Sequence, residues 1–142
     1  MNKFEAIEWP KSLQTGVSDI DEQHQMLASM INMAHTRLTE NNSRSETEAF
    51  IRDLMSYALY HFDTEEELML MHDYYQAERE QHCREHRHFS AAIARFQQDI
   101  HLGKLVSRDE LLGFIREWLT IHIMNTDIKL GEFLCNLEKT NL

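Results

Sequence analysis

The chain has 142 residues, 42% of them hydrophobic, with one proline and four glycines; this is long enough for one core and too regular in composition for a disordered segment. A formal net charge of −10 offers nothing to neutralise phosphates, so no nucleic acid and no anionic membrane surface is expected as a partner. No apolar run is long enough to span a bilayer, and residues 1–14, with Lys3, Glu5, Glu8 and Lys11, lack the apolar centre of a secretory signal, so a cytoplasmic protein without membrane insertion is expected.

The elements follow in chain order. Pro10 and Gly16 keep residues 1–18 extended, an arm from which Trp9 can pack. Asp19 or Asp21 caps a first helix to about Leu38, with Ile20, His24, Leu27, Ile31 and Ala34 or His35 on one face. Residues 39–43 read as a turn. Ser45 and Glu48 form a capping box for a second helix to about Met71, whose inner face carries Phe50, Leu54, Tyr57, Ala58, His61, Glu65 and Leu68. A short loop leads to a third helix over roughly 77–101, closed by Gly103. Ser107 and Glu110 form another capping box, and the fourth helix presents Leu111, Leu112, Ile115, Trp118, Leu119 and His122. The expectation is an all-α, antiparallel up-down four-helix bundle, one domain over 1–142 with the arm at 1–18 and the bundle over 19–138.

Nine histidines need a reason. Donors four residues apart lie about 40° apart around a helix and one turn along it, so both reach one ion. His61 with Glu65 and His82 with His86 have this spacing. His24 and His122 lie on the inner faces of the first and fourth helices. Asp127 follows His122 by five residues, roughly 140° away on a regular helix, so it joins the site only through a π-bulge or a helix end near Asn125. Carboxylates and imidazoles without thiolates suit iron, manganese or zinc. Five histidines and two carboxylates exceed one octahedral ion but suit two bridged ones, and two divalent ions against two carboxylates and a hydroxide leave only about +1 to bury.

The strings Gly16-Val-Ser-Asp-Ile-Asp-Glu-Gln-His24, His61-Phe-Asp-Thr-Glu65-Glu-Glu-Leu-Met69, His82-Cys-Arg-Glu-His86-Arg-His-Phe89 and Trp118-Leu-Thr-Ile-His122-Ile-Met-Asn-Thr-Asp127 resemble the four motifs of the hemerythrin family, over a stretch from Trp9 to about Leu130. The short form is similar to the single-domain bacteriohemerythrins. Four motifs in order are specific, whereas one alone is weak. The resemblance implies two non-haem irons with a bridging oxo or hydroxo group. One is held by His82, His86 and His122, the other by His24 and His61, and Glu65 and Asp127 bridge both. It implies reversible O2 binding, end-on, at the open position of the two-histidine iron; NO and small anions such as azide are further ligands. Phe62, Trp118, Leu119 and Ile123 flank these positions and are expected to wall that opening with apolar surface. With no acid–base group poised for turnover, the expectation is a ligand-binding protein rather than an enzyme: an O2 carrier, store or delivery protein for an oxygen-consuming enzyme. An O2, NO or redox sensor and a peroxide or NO reductase are the alternatives.

Two departures from the family pattern stand out. An aromatic residue is frequent where this chain continues Ile128-Lys-Leu-Gly131, so the floor beneath Asp127 is expected to pack differently. The loop Asp73-Tyr-Tyr-Gln76 lacks the Tyr-Pro often found there. Outside the seven positions, His35 and His72 read as core or helix-end residues, and His88 and His101 as solvated or as partners behind the site. Glu66 and Glu67 read as a solvated face or as such partners. Cys83 and Cys135 read as reduced thiols, Cys83 pointing away from the metals. Met26, Met30, Met33, Met55, Met69 and Met71 read as core filler.

Overall fold

The computed structural model describes residues 13–38 and 44–140, with side chains to 137. Most of the expected arm, including Trp9, and the expected turn at 39–43 lie outside the described residues.

Four helical rods build the molecule: α1 (Ser18–Arg37), α2 (Arg44–Met71), α3 (Gln76–His101), and a fourth made of α4 (Arg108–His122), a π-helical segment (Ile123–Asp127) and α5 (Ile128–Thr140). Among the described residues there is no strand. α1 packs on α2, α2 on α3, α3 on α4, and α4 closes the ring onto α1. Short connections between long neighbours make the bundle antiparallel.

The rod ends are set by local chemistry. At α1 the carboxylate does the reverse of what the sequence leads one to expect. The helix starts at Ser18 with no side-chain cap, and Asp21 reaches back to accept from Thr15 N and Oγ1, both at 2.8 Å, and from Gly16 N at 3.2 Å. It therefore pins the preceding loop rather than the helix. Ser45 lies inside the first turn of α2, which starts at Arg44; Glu48 accepts from Arg44 Nε at 2.7 Å. Both remaining stops follow backbone geometry. α2 ends with Asp73 at φ 55°, where Tyr74 N bonds Met69 O and Asp73 N bonds Leu70 O. α3 ends in the same way with Gly103 at φ 81°, Lys104 N on Asp99 O and Gly103 N on Ile100 O, the paired bonds that satisfy otherwise orphaned carbonyls. Ser107 caps α4 as expected, accepting from Glu110 N at 3.3 Å.

The inner face of α2 is turned slightly from the one read off the sequence. Ile51, Leu54, Ala58, His61, Phe62, Glu65 and Met69 are buried, while Phe50, Tyr57 and Leu68 flank the core. Over 28 residues the 3.6 period selects Ile51 and Met69 over their neighbours. The methionine expectation is also corrected. Met69 is buried, Met30 and Met55 only pack against the core from its edge, and Met26, Met33 and Met71 are exposed. A flexible, polarisable side chain tolerates such half-wet positions.

The core comes in two main clusters. One holds Leu27, Ile31, Ile51, Leu54, Ala58, Phe62, Phe89, Ile93, Leu111, Ile115, Leu119 and Ile123. The other holds Ile20, Met69, Tyr74, Leu130 and Leu134. The expected ligand positions gather where the two clusters meet, with His61 and His122 one residue inside the first. The loop at Thr15 closes the second cluster by lying against α5, where a Cβ on Gly131 would stand 2.3 Å from Thr15 O and 2.7 Å from Thr15 Cβ. Gly131, at the end of the stretch 128–131 that was expected to pack differently, is thus the seat of this loop. Gly131→Ala should lower the urea or thermal midpoint by an amount worth about 1–3 kcal/mol, the usual scale for overpacking; an unchanged midpoint would show that the loop yields freely.

Candidate metal centre

All seven predicted donors come together in the layer where the two clusters meet. His24, Glu65, His82 and Asp127 have no solvent exposure, and His61, His86 and His122 have at most 2%. Each imidazole turns Nε2 inward. His24 Nε2 is 2.8 Å from Asp127 Oδ2, and His82 and His122 Nε2 are each 3.0 Å from Asp127 Oδ1. His86 and His61 Nε2 are 3.1 and 3.3 Å from Glu65 Oε1. The donors fall into two overlapping groups, within each of which one ligand atom per residue lies within 4.8 Å of all others: Glu65, His82, His86, His122 and Asp127, and His24, His61, Glu65 and Asp127. The two carboxylates are common to both.

Asp127 reaches the layer because the fourth rod changes pitch. From Ile123 to Asp127 the helix is π, closing with Ile128 N on Ile123 O. Of the two routes open from the sequence, the widened turn is the one used. It brings a residue five positions after His122 onto the same inner face, a recurrent use of such segments.

Behind the donors stands a second set of side chains, each on the rod before the ring it supports. His61 Nδ1 donates to Gln23 Oε1 of α1 at 2.7 Å. Gln23 Nε2 donates to Thr64 Oγ1 at 3.2 Å, and Thr64 donates to Tyr60 O, a chain that fixes which end of the amide faces the ring. His86 Nδ1 donates to Glu66 Oε2 of α2 at 2.9 Å. His122 Nδ1 donates to Glu85 Oε1 of α3 at 2.7 Å, and Thr126 Oγ1 donates to the same oxygen at 2.6 Å. An acceptor on Nδ1 places the proton there and leaves the Nε2 lone pair facing inward. Glu66 was one of the partners considered from the sequence; Gln23, Thr64, Glu85 and Thr126 were not. Gln23 and Glu85 directly precede donors, and an adjacent helical residue points about 100° away, which hides its service to the next rod. The available signal was the need of every buried imidazole for an acceptor.

Electrostatics tie the set together. Burial and mutual repulsion would raise Glu65, but His61, His82 and His86 hold it down to about 2. Burial is likewise outweighed at Asp127, which His122 and His24 keep well below the usual carboxylate range. Burial lowers His61 to about 4. At His82 and His122 burial also pulls down, but Asp127 and Glu65 or Glu85 raise them to about 9 and about 10, and Asp127 raises His24. Even so, His61, His82 and His122 Nε2, Glu65 Oε2 and both Asp127 oxygens make no well-directed hydrogen bond. Within each group these donor atoms lie within 4.8 Å of one another. Buried polar atoms left in that state are rare, and hard oxygen and imidazole donors converging in this way fit first-row metal ions such as iron.

Around the layer, Phe62 stacks on His86 with centroids 4.0 Å apart, and Trp118 stacks on His122 at 4.5 Å. Leu119 and Ile123 are buried in the same apolar cluster as Phe62. His72, His88 and His101 are exposed, and His35 is half-buried. Both cysteines are free. No described helix is long and apolar enough to cross a membrane.

Comparison with known proteins agrees with this architecture. Residues 15–134 match the sequence model of the hemerythrin HHE cation binding domain. The bacteriohemerythrin of Pseudomonas paraeruginosa is 34% identical over 119 residues, covering 84% of this chain and 75% of that protein. The bacteriohemerythrin of Methylococcus capsulatus is 31% identical, covering 84% and 89%. A crystal structure of wild-type hemerythrin superposes with a TM-score of 0.79 at 30% identity, covering 90% of this chain and 97% of that one. With four rods, a shared carboxylate pair and a family match over most of its length, the chain belongs to the hemerythrin family.

Proposed function

We propose that this chain binds O2 reversibly at a pair of non-haem irons and serves as an oxygen carrier, store or delivery protein. The observation that supports this most is the sharing of Glu65 and Asp127 by two groups of buried donors, since seven side chains exceed what one six-coordinate ion accepts. His82, His86 and His122 would hold one iron, His24 and His61 the other, and Glu65 and Asp127 would contact both. Two irons joined by an oxo or hydroxo group would supply the electrons with which O2 is bound and given back.

The residues of the chain do the rest. The half with two imidazoles has one donor fewer, which leaves room for a diatomic ligand or a small anion. Gln23, Glu66 and Glu85 hold the rings so that Nε2 stays inward. Phe62, Trp118, Leu119 and Ile123 form the apolar wall, and none of them titrates, so the wall offers no proton to release reduced oxygen. The metals and protons compete for the same Nε2 atoms. His24, His82 and His122, raised by their carboxylate neighbours, must give up protons as metal enters.

The deciding experiment is anaerobic loading with ferrous iron, admission of O2, and removal of O2 while the visible spectrum is followed. A band that appears, fades on deoxygenation and returns supports reversible binding; immediate and permanent oxidation would replace this reading with a redox sensor or a peroxide or NO reductase. His61→Ala and Glu65→Ala should each lose the band and bind less than the full iron complement, and tight retention of both irons would overturn the ligand assignment. Leu119→Asn should hasten irreversible oxidation of the O2-bound protein, measured as a shorter band lifetime at fixed temperature. Metal uptake should release protons, and because the raised imidazoles are charged at lower pH, apparent iron affinity should climb with pH by up to about tenfold per unit for each proton displaced. Calorimetry in buffers of different ionisation heat would read that proton count, and a pH-independent affinity would contradict it.

A further inference from the structure

The supports behind the imidazoles are unequal in charge, and the inequality follows the two halves of the centre. His86 and His122 both belong to the group of three imidazoles, and each donates Nδ1–H to a carboxylate, Glu66 at 2.9 Å and Glu85 at 2.7 Å. Glu85 is held in place by two further donors, Thr126 Oγ1 at 2.6 Å and Gln81 Nε2 at 3.0 Å. His61, in the other group, donates to the neutral amide of Gln23, itself held by Thr64. Of these three supports, both carboxylates lie behind the three-imidazole half and the neutral amide lies behind the other.

An amide oxygen orients a ring as well as a carboxylate oxygen does. The difference is charge. A carboxylate behind an imidazole makes the ring a stronger donor and adds a negative charge one ring away from the ion, and both effects favour the higher oxidation state of that ion. We propose that Glu66 and Glu85 tune the centre electrically, lowering the reduction potential of the ion held by His82, His86 and His122 so that the first electron lost comes from that half. This inference rests on the di-iron reading above. The ion held by His24 and His61, backed through His61 by a neutral partner, then stays ferrous in the half-oxidised protein.

The test uses the iron-loaded full chain and the variants E66Q, E85Q, E66Q/E85Q and Q23E. Glutamine keeps the shape and an acceptor oxygen and removes the charge; Q23E adds one on the other half. Iron content is counted, and the potentials are read by spectroelectrochemistry, one electron at a time passing from the iron to the electrode. The expected result is two irons retained, midpoint potentials raised in E66Q and E85Q and raised further in the double variant, and a lowered potential in Q23E. Mössbauer spectra of the half-oxidised protein should show the ferric component perturbed by E85Q and the ferrous component by Q23E. Loosened packing would not move the potential in opposite directions for charge removal and charge addition. Unmoved potentials, shifts all of one sign, or the reverse Mössbauer pattern would overturn the tuning role while leaving reversible O2 binding in place. Failure of the unaltered protein to hold two irons would overturn both.

Discussion

Two carboxylates, Glu65 and Asp127, sit in the interior of the bundle without exposure to water. Isolated ionised groups in such a place cost many kcal/mol, and proteins keep them only with compensating charge close by. The rest of the architecture answers that demand. Every rod delivers at least one donor to the layer, and five imidazoles crowd the two acids. The apolar clusters that meet there keep water from relieving the charge cheaply. The same dryness that makes the acids costly makes a cation between them strongly held.

The fourth rod carries the largest local adjustment. A regular helix would point Asp127 away from His122, and the π segment spends ideal hydrogen-bond geometry to bring both inward. Thr126, inside that segment, bonds Glu85 of α3, so the irregular turn is tied to the neighbouring rod. Below it, Gly131 admits the loop at Thr15 to within van der Waals range of the α5 backbone, and Asp21 holds that loop from the other side. An unusual helix and an unusual glycine thus lie within one short stretch, each compensated by a partner from elsewhere in the chain.

Most of this was legible in the sequence because it depends on periodicity. His24, the His61–Glu65 and His82–His86 pairs and His122 announce themselves by helical spacing on apolar faces, and the four-rod arrangement follows from helix lengths and turn residues. The offset of Asp127 was legible as a contradiction, and the contradiction pointed to the right place. What stayed hidden was set by contacts between rods. Asp21 reaches backward to Thr15, and Phe50 yields its inner place to Ile51. Gln23 and Glu85 look like outward-facing neighbours of donors because single-helix geometry says nothing of the rod beside them. Met26, Met33 and Met71 are equally apolar in sequence wherever they stand.

The supports behind the imidazoles form a staggered series. Gln23 beside His24 serves the ring on α2, Glu66 beside Glu65 serves the ring on α3, and Glu85 beside His86 serves the ring on α4. Each of these rods therefore has one angular setting at which its own donor and its neighbour's support are both correct. A rod rotated by one residue spoils rings on two different helices. The bundle behaves as a combination lock whose dials are geared to one another, which makes a single inserted or deleted residue within a rod far more damaging than many substitutions on its outer surface.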